Sequence, residues 1–152
     1  MTRLPVDNRP VGTVEAIHVV ARHGGPPAAV EEAVAEVGGG LRGDRHHADA
    51  DGNVTLIEAE ALEELAASSQ LDLADGLSRR NVRTRGMDLG ELVGRKFAIG
   101  EVLCYGDERC EPCTHLAALT DRAVLTSLAH TGLRARIVRS GTIRTGDPIR
   151  LA

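Results

Sequence analysis

Residues 96–106 read KFAIGEVLCYG, and residues 134–152 read RARIVRSGTIRTGDPIRLA. Each is a set of extended runs of four to eight residues, rich in Val, Ile and Leu and cut by glycines at 100, 106, 141 and 146. Short strands that turn on glycine at close intervals curl into a barrel or a strongly curved sheet rather than lying flat. The expected fold class is therefore mainly β, a compact closed barrel with peripheral helices, formed by residues 1–152 as one domain behind a polar lead-in at 1–11.

Upstream, GTVEAIHVVARHG from Gly12 reads as a strand, although its apolar residues Val14, Ala16 or Ile17, Val19 and Val20 fit no single register. PPAAVEEAVAEVGGG (26–40) has Pro27 near a first turn and a glycine stop, which predicts a short amphipathic helix. VTLIEAEALEELAASS predicts an extended Val54–Ile57 running into a helix with Leu62 and Leu65 inward and Glu58, Glu60, Glu63 and Glu64 on the acidic side. One further helix is expected over LTDRAVLTSLAHTG, ending at Gly132.

Composition bounds the function. The chain has 152 residues, a formal charge of −4, and only Phe97 and Tyr105 as aromatics. That argues against a broad basic face and against base-stacking platforms, so no nucleic-acid role is expected. No apolar run approaches a membrane span and the start lacks the core of a signal peptide, which predicts a cytoplasmic protein. Three cysteines in such a chain read as thiols or ligands rather than a disulfide framework.

Positive charge is local. SRRNVRTRG (78–86) puts four arginines into seven positions, and seventeen of the eighteen cationic residues in the chain are Arg. On a strand, Arg79, Asn81, Arg83 and Arg85 would share one face. Such a row needs neutralising, either by a bound anion or by the acidic helix of Glu58, Glu60, Glu63 and Glu64.

The second cluster is YGDERCEPCTHL (105–116), with Cys110 and Cys113 in C-x-x-C spacing, Cys104 upstream and His115 two residues on. Three chemistries compete: zinc held by these cysteines and His115, a dithiol, or a single reactive thiolate at Cys113 favoured by Arg109 and His115. Cys104, inside apolar EVLCY, reads as a buried small residue. In RGDRHH, the adjacent His46 and His47 point apart on an extended chain and chelate poorly, so Arg45 is the better functional residue there.

Taken in order, GTVEAIHV, GGLRGDRH, VTLIEAEALEEL, SRRNVRTRGMDLGELVGRKFAIGEVLCYG, RCEPCTHL and GLRARIVRSGTIRTGDPIRL resemble the MOSC domain, named for the C-terminal domain of molybdenum cofactor sulfurases. The likeness spans nearly the whole chain and includes the family's G-D-R-H, R-x-N and P-C motifs. It implies a β-barrel of the pyruvate-kinase-barrel type that binds the molybdenum cofactor (molybdopterin). Arg45, Arg79 and Asn81 fall where the family grips the cofactor, with Asp44, His46, Arg83, Arg85 and Arg109 as accompanying candidates. Cys113 falls on the family's cysteine, as molybdenum ligand or persulfide carrier.

The implied role is that of an oxidoreductase acting on N-hydroxylated compounds or of a sulfurtransferase. A non-catalytic cofactor carrier, or a structural zinc protein using Cys110, Cys113 and His115, is the alternative. The pyridoxal-phosphate desulfurase domain of full sulfurases has no counterpart here, so a separate electron donor or cysteine desulfurase is the expected partner. Cys110 is a thiol outside the family pattern.

Overall fold

The computed structural model describes residues 9–22, 25–45, 53–69, 80–109 and 132–152. Its strands are β1 (Gly12–Val20), β2 (Pro27–Val30), β3 (Glu32–Glu36), β4 (Gly40–Leu41), β5 (Asn53–Glu58), β6 (Val82–Arg85), β7 (Lys96–Ile99), β8 (Val102–Arg109), β9 (Gly132–Arg139), β10 (Gly141–Arg144) and β11 (Pro148–Leu151). Helix α1 (Ala59–Ser69) follows β5, and a 3-10 turn covers Leu89–Leu92.

The large sheet runs β11-β7-β8-β9-β5-β6-β1, and β1 pairs back onto β11, so seven strands close into a barrel with β2 appended to β1. All neighbours are antiparallel except β5 and β6, which run parallel with α1 as part of their crossover. Closure removes the free edges that so many short strands would otherwise expose. A second sheet, β10-β3-β4, lies beside the barrel.

Alternation decides which side chains fill the interior. Val54 and Leu56 of β5, Phe97 and Ile99 of β7, Val102 and Cys104 of β8, and Leu133, Ala135 and Ile137 of β9 form one buried cluster. Burying a residue of this kind is worth about 1.5–3 kcal/mol. Leu89 and Leu92 of the 3-10 turn join the same cluster. The turn seats against β8 at Gly106, whose carbonyl accepts from the Gly94 N–H at 2.8 Å and whose N–H donates to the Arg95 carbonyl at 3.0 Å.

Strands β2 and β3 correct the helix expected over residues 26–40. Both segments find ladder partners: Val30, Ala29, Ala28 and Pro27 pair with β1, and Ala33 and Ala35 turn inward as β3 pairs with β10. An isolated helix of that length is marginal, so ladder pairing overrides its pattern. The strand of β1, the extended run before α1, and α1 itself stand where the sequence puts them. The helix expected over LTDRAVLTSLAHTG falls outside the described residues up to 131, and Gly132 begins β9.

No helix among the described residues is long and apolar enough to cross a membrane. The tight seat at Gly106 yields a prediction. A Cβ there would overlap the Leu92 carbonyl oxygen, a backbone atom that cannot swing aside. Gly106→Ala should cost about 1–3 kcal/mol in urea denaturation while leaving the β-type circular dichroism of the native state unchanged.

Candidate functional site

The site is built at the end of the barrel where β1 finishes and β5 and β6 start. Gly43 has φ +86, a conformation that favours glycine, and makes the turn that brings Asp44 back to β1. The Asp44 carboxylate accepts from the Val20 N–H at 2.9 Å, and the Arg45 N–H donates to the Val20 carbonyl at 2.6 Å. Asp44 is buried, so its carboxylate serves the backbone of β1 while Arg45 is fixed at the strand's last residue.

Asn81 ties the same rim together. Its backbone carbonyl accepts from the His18 N–H at 2.7 Å and its N–H donates to the Thr55 carbonyl at 3.1 Å. The side chain repeats both links, with Nδ2 donating to the His18 carbonyl at 3.2 Å and Oδ1 accepting from Thr55 N and Oγ1 at 3.2 and 3.0 Å. Two residues before Thr55, at the start of β5, Asn53 Oδ1 is the one buried side-chain polar atom among the described residues without a hydrogen-bond partner.

The arginine row divides. Asn81 and Val82 are both buried, because β6 starts only at Val82, so Asn81 does not share the face of Arg83 and Arg85. This corrects the single-face expectation. Arg83 and Arg85 point outward from the barrel. Their Nε atoms bind the two oxygens of Glu15 at 2.6 and 2.5 Å, and Arg85 Nη2 also pairs with Glu63 of α1. For Arg85, neutralisation by the acidic helix is what the structure contains. Burial alone would lift the Glu15 carboxyl, but its bonds from Arg85 and Arg83 outweigh that and hold it below its ordinary range.

At the opposite end of the strands, Arg109 closes β8 beside Gly90, where any side chain would meet its guanidinium. Glu58 ends β5 there and accepts from the Leu89 N–H at 3.0 Å. Its carboxyl is raised above the usual range, chiefly by burial, with Asp88 and Glu60 adding to the effect and the Leu89 N–H and Arg109 opposing it. Cys104 is buried in the barrel and its thiol is pushed up to about 12 by that burial, which leaves it inert, as expected from EVLCY. Arg79, His46, Cys110, Cys113 and His115 lie outside the described residues.

Of the expected site residues, then, Asp44, Arg45 and Asn81 meet at one rim, Arg83 and Arg85 stand on the outer wall, and Arg109 is at the far end. Two groups escaped the sequence reading, Glu15 and Asn53, and Glu58 was read only as part of the acidic helix. Only Glu15 carried a signal, as a lone acid inside an apolar strand.

The comparisons agree with the fold. The MOSC domain model matches residues 43–150. The chain superposes on the crystal structure of the YuaD protein from Bacillus subtilis with a TM-score of 0.73 at 18% identity, covering 91% of this chain and 94% of that one. It is similar also to YiiM from Escherichia coli (TM-score 0.66, 18% identity, 92% and 69% covered). YiiM from Geobacillus stearothermophilus gives a TM-score of 0.63 at 14% identity, with 97% and 75% covered. No curated protein matches the sequence.

Two predictions follow from this geometry. Asn81→Ala leaves the His18 carbonyl and the Thr55 groups with lost partners in a buried setting, and should lower stability by about 1–3 kcal/mol in denaturant titrations. Glu58 has the opposite sign. Its folded-state value lies above the ordinary 4.5, so the folded state binds its proton more tightly and stability falls as pH rises from 4.5 through the folded value. Glu58→Gln keeps an acceptor for Leu89 and should raise the urea midpoint at pH 7 but not at pH 4.

Proposed function

The chain belongs to the MOSC domain family, and from that membership we propose that it binds the molybdenum cofactor, gripping its phosphate and pterin with Arg45, Arg79 and Asn81 and using Cys113 as metal ligand or persulfide carrier. The observation that carries this reading is the reach of the family match. It opens at Gly43 of G-D-R-H and runs through R-x-N and P-C to the last hairpin.

The rim supports it physically. Arg45 is anchored by its own N–H to the end of β1, and Asp44, already committed to the Val20 N–H, holds the turn. An arginine so held presents a planar, permanently charged fork that suits a phosphate monoester. Nearby, the buried and unpartnered Asn53 Oδ1 is an acceptor of the kind that the N–H groups of a pterin require. Donors for a phosphate and an acceptor for a pterin thus occur along one rim, and the residues present fit the group.

When bound, the molybdenum centre would supply two-electron redox chemistry or accept sulfur, and a cysteine serves either purpose only as the thiolate. Cys104 is excluded from that role by its burial and its raised pKa. Cys113 is the residue on the family's motif. We favour reduction of N-hydroxylated compounds with electrons from a separate donor protein, with sulfur transfer from a cysteine desulfurase as the second enzymatic role and carriage without turnover as the non-catalytic one.

The test is retention of molybdenum and pterin by the purified, reduced protein after exposure to free cofactor. Wild type should retain both in equal amounts, while Arg45→Ala and Arg79→Ala should each lose at least tenfold in affinity and Cys113→Ala should keep pterin but release metal. Retention of neither by wild type sinks the reading. A sulfur adduct on Cys113 after incubation with a cysteine desulfurase then separates transfer from reduction, and inactivity in both assays with cofactor retained identifies a carrier.

A further inference from the structure

A cleft of about 310 Å³ opens on the outer wall of the barrel, between α1 and the β1–β6 ladder. Along the strand its nearer wall, Arg83, is two residues from Asn81, or about 7 Å, and Arg85 is four, and the cleft faces away from the barrel interior. Its floor is one face of the helix, Ala59, Leu62 and Ala66. Ala59 and Leu62 are buried and Ala66 is partly exposed. Opposite stand Arg83 and Arg85, two residues apart on β6 and so about 7 Å from one another.

A local irregularity sets the charge. The β1–β6 register shifts between Val14 and Ala16, leaving Glu15 as the extra residue of a bulge. Bulges re-aim a side chain out of the regular ladder. Here the bulged carboxylate lies between the two guanidiniums and accepts from the Nε atom of each. Glu15 and Arg83 are the enclosed members, with side chains 28% and 22% exposed, and the lowered pKa of Glu15 keeps it charged at neutral pH. Glu63, which closes the cleft on Arg85, is 60% exposed. An exposed ion pair of that kind is weak, and Glu63 sits on a helix surface from which it can turn into water.

With Glu63 turned out, the walls hold Arg83, Arg85 and Glu15, a net charge of one positive unit over an apolar floor. A monoanion balances it. A dianion such as phosphate would leave excess negative charge beside Glu15, and an anion without a carbon body would make no use of the apolar lining of Ala59, Leu62 and Ala66. The volume is at the lower end of the range of about 300–1,000 Å³ found for small-molecule sites, which suits a single ring or a short chain.

We propose that this cleft is a second ligand site that takes a small monocarboxylate with an apolar body, its carboxylate replacing Glu63 on Arg85 and its body lying on Leu62 between Ala59 and Ala66. The site is independent of cofactor binding at the rim, and either can fail without the other.

The experiment is a titration of the full chain with benzoate, benzyl alcohol and inorganic phosphate, followed by NMR at the methyl groups of Ala59, Leu62 and Ala66. Benzoate should give saturable shifts at these methyls with an affinity at least tenfold above that of benzyl alcohol. Glu63→Gln removes the internal competitor and should tighten benzoate severalfold. Arg85→Gln should weaken it at least tenfold. Glu63 is exposed, so its replacement leaves the fold intact, and a thermal melt of each variant checks this. Absence of saturable shifts in the wild type, a benzoate affinity unchanged or lowered by Glu63→Gln, or phosphate matching benzoate overturns the proposal.

Discussion

The barrel depends on Asn81. Strands β5 and β6 are its one parallel pair, joined by a long crossover, and parallel pairing is the least local and slightly weaker kind of ladder. At the point where β6 enters, no regular ladder yet exists on either side. Asn81 supplies it twice over, once with its backbone and once with its side chain, binding His18 of β1 on one flank and Thr55 of β5 on the other. An amide is the side chain for this, since it offers a donor and an acceptor from one planar group. A carboxylate would lack the donor for the His18 carbonyl, and an aliphatic residue would strand both neighbours.

The same link explains why a candidate binding residue can also be a structural one. The rim where Asn81 works is the rim to which Asp44 and Arg45 are tied, each through Val20. A binding group is only as well placed as the backbone that carries it. At this end of the barrel the backbone of three strands and one turn is fixed by side chains within the R-x-N and G-D-R motifs themselves. The motifs carry their own scaffolding, so the residue types at Asp44 and Asn81 are required by the fold before any ligand arrives.

How much could be read in advance varied with how local the cause was. Strand β5 and helix α1 were legible because their periods of two and 3.6 are written in adjacent residues. The closed barrel was legible from runs such as KFAIG and EVLCYG, each ended by glycine. The ambiguity of GTVEAIHVV was real information: Val14 and Ile17 both turn inward, which an even alternation forbids, and the bulge at Glu15 is what permits it. Strands β2 and β3 were not legible, because their partners lie in β1 and in β10, the latter more than a hundred residues away. The arginine row failed for a related reason. A strand that begins at Val82, after Asn81, turns Asn81 out of the set, and nothing within SRRNVRTRG marks that start.

The acidic helix shows where charge counting reaches its limit. Glu58, Glu60 and Glu63 look like a solvated face, yet each accepts from a particular donor: the Leu89 N–H, the Gly86 N–H and the Arg85 guanidinium. Two of these partners are backbone groups of the loop that leads from β6 into the 3-10 turn, a loop with no strand neighbour to satisfy them. Glu60 of α1 and Glu58, the last residue of β5, take that place, and Glu58 does so at the cost of sitting near Asp88 and Glu60, which is part of why its carboxyl is raised. Negative charge on this helix is therefore held where the backbone needs acceptors rather than where repulsion is least. Arg83 and Arg85 then follow as the counter-charge on the facing wall, and positive charge at Arg45 belongs to a different end of the barrel. One composition, rich in arginine, serves two ends: closing the outer layer onto the sheet, and standing at the rim as Arg45 beside Asp44.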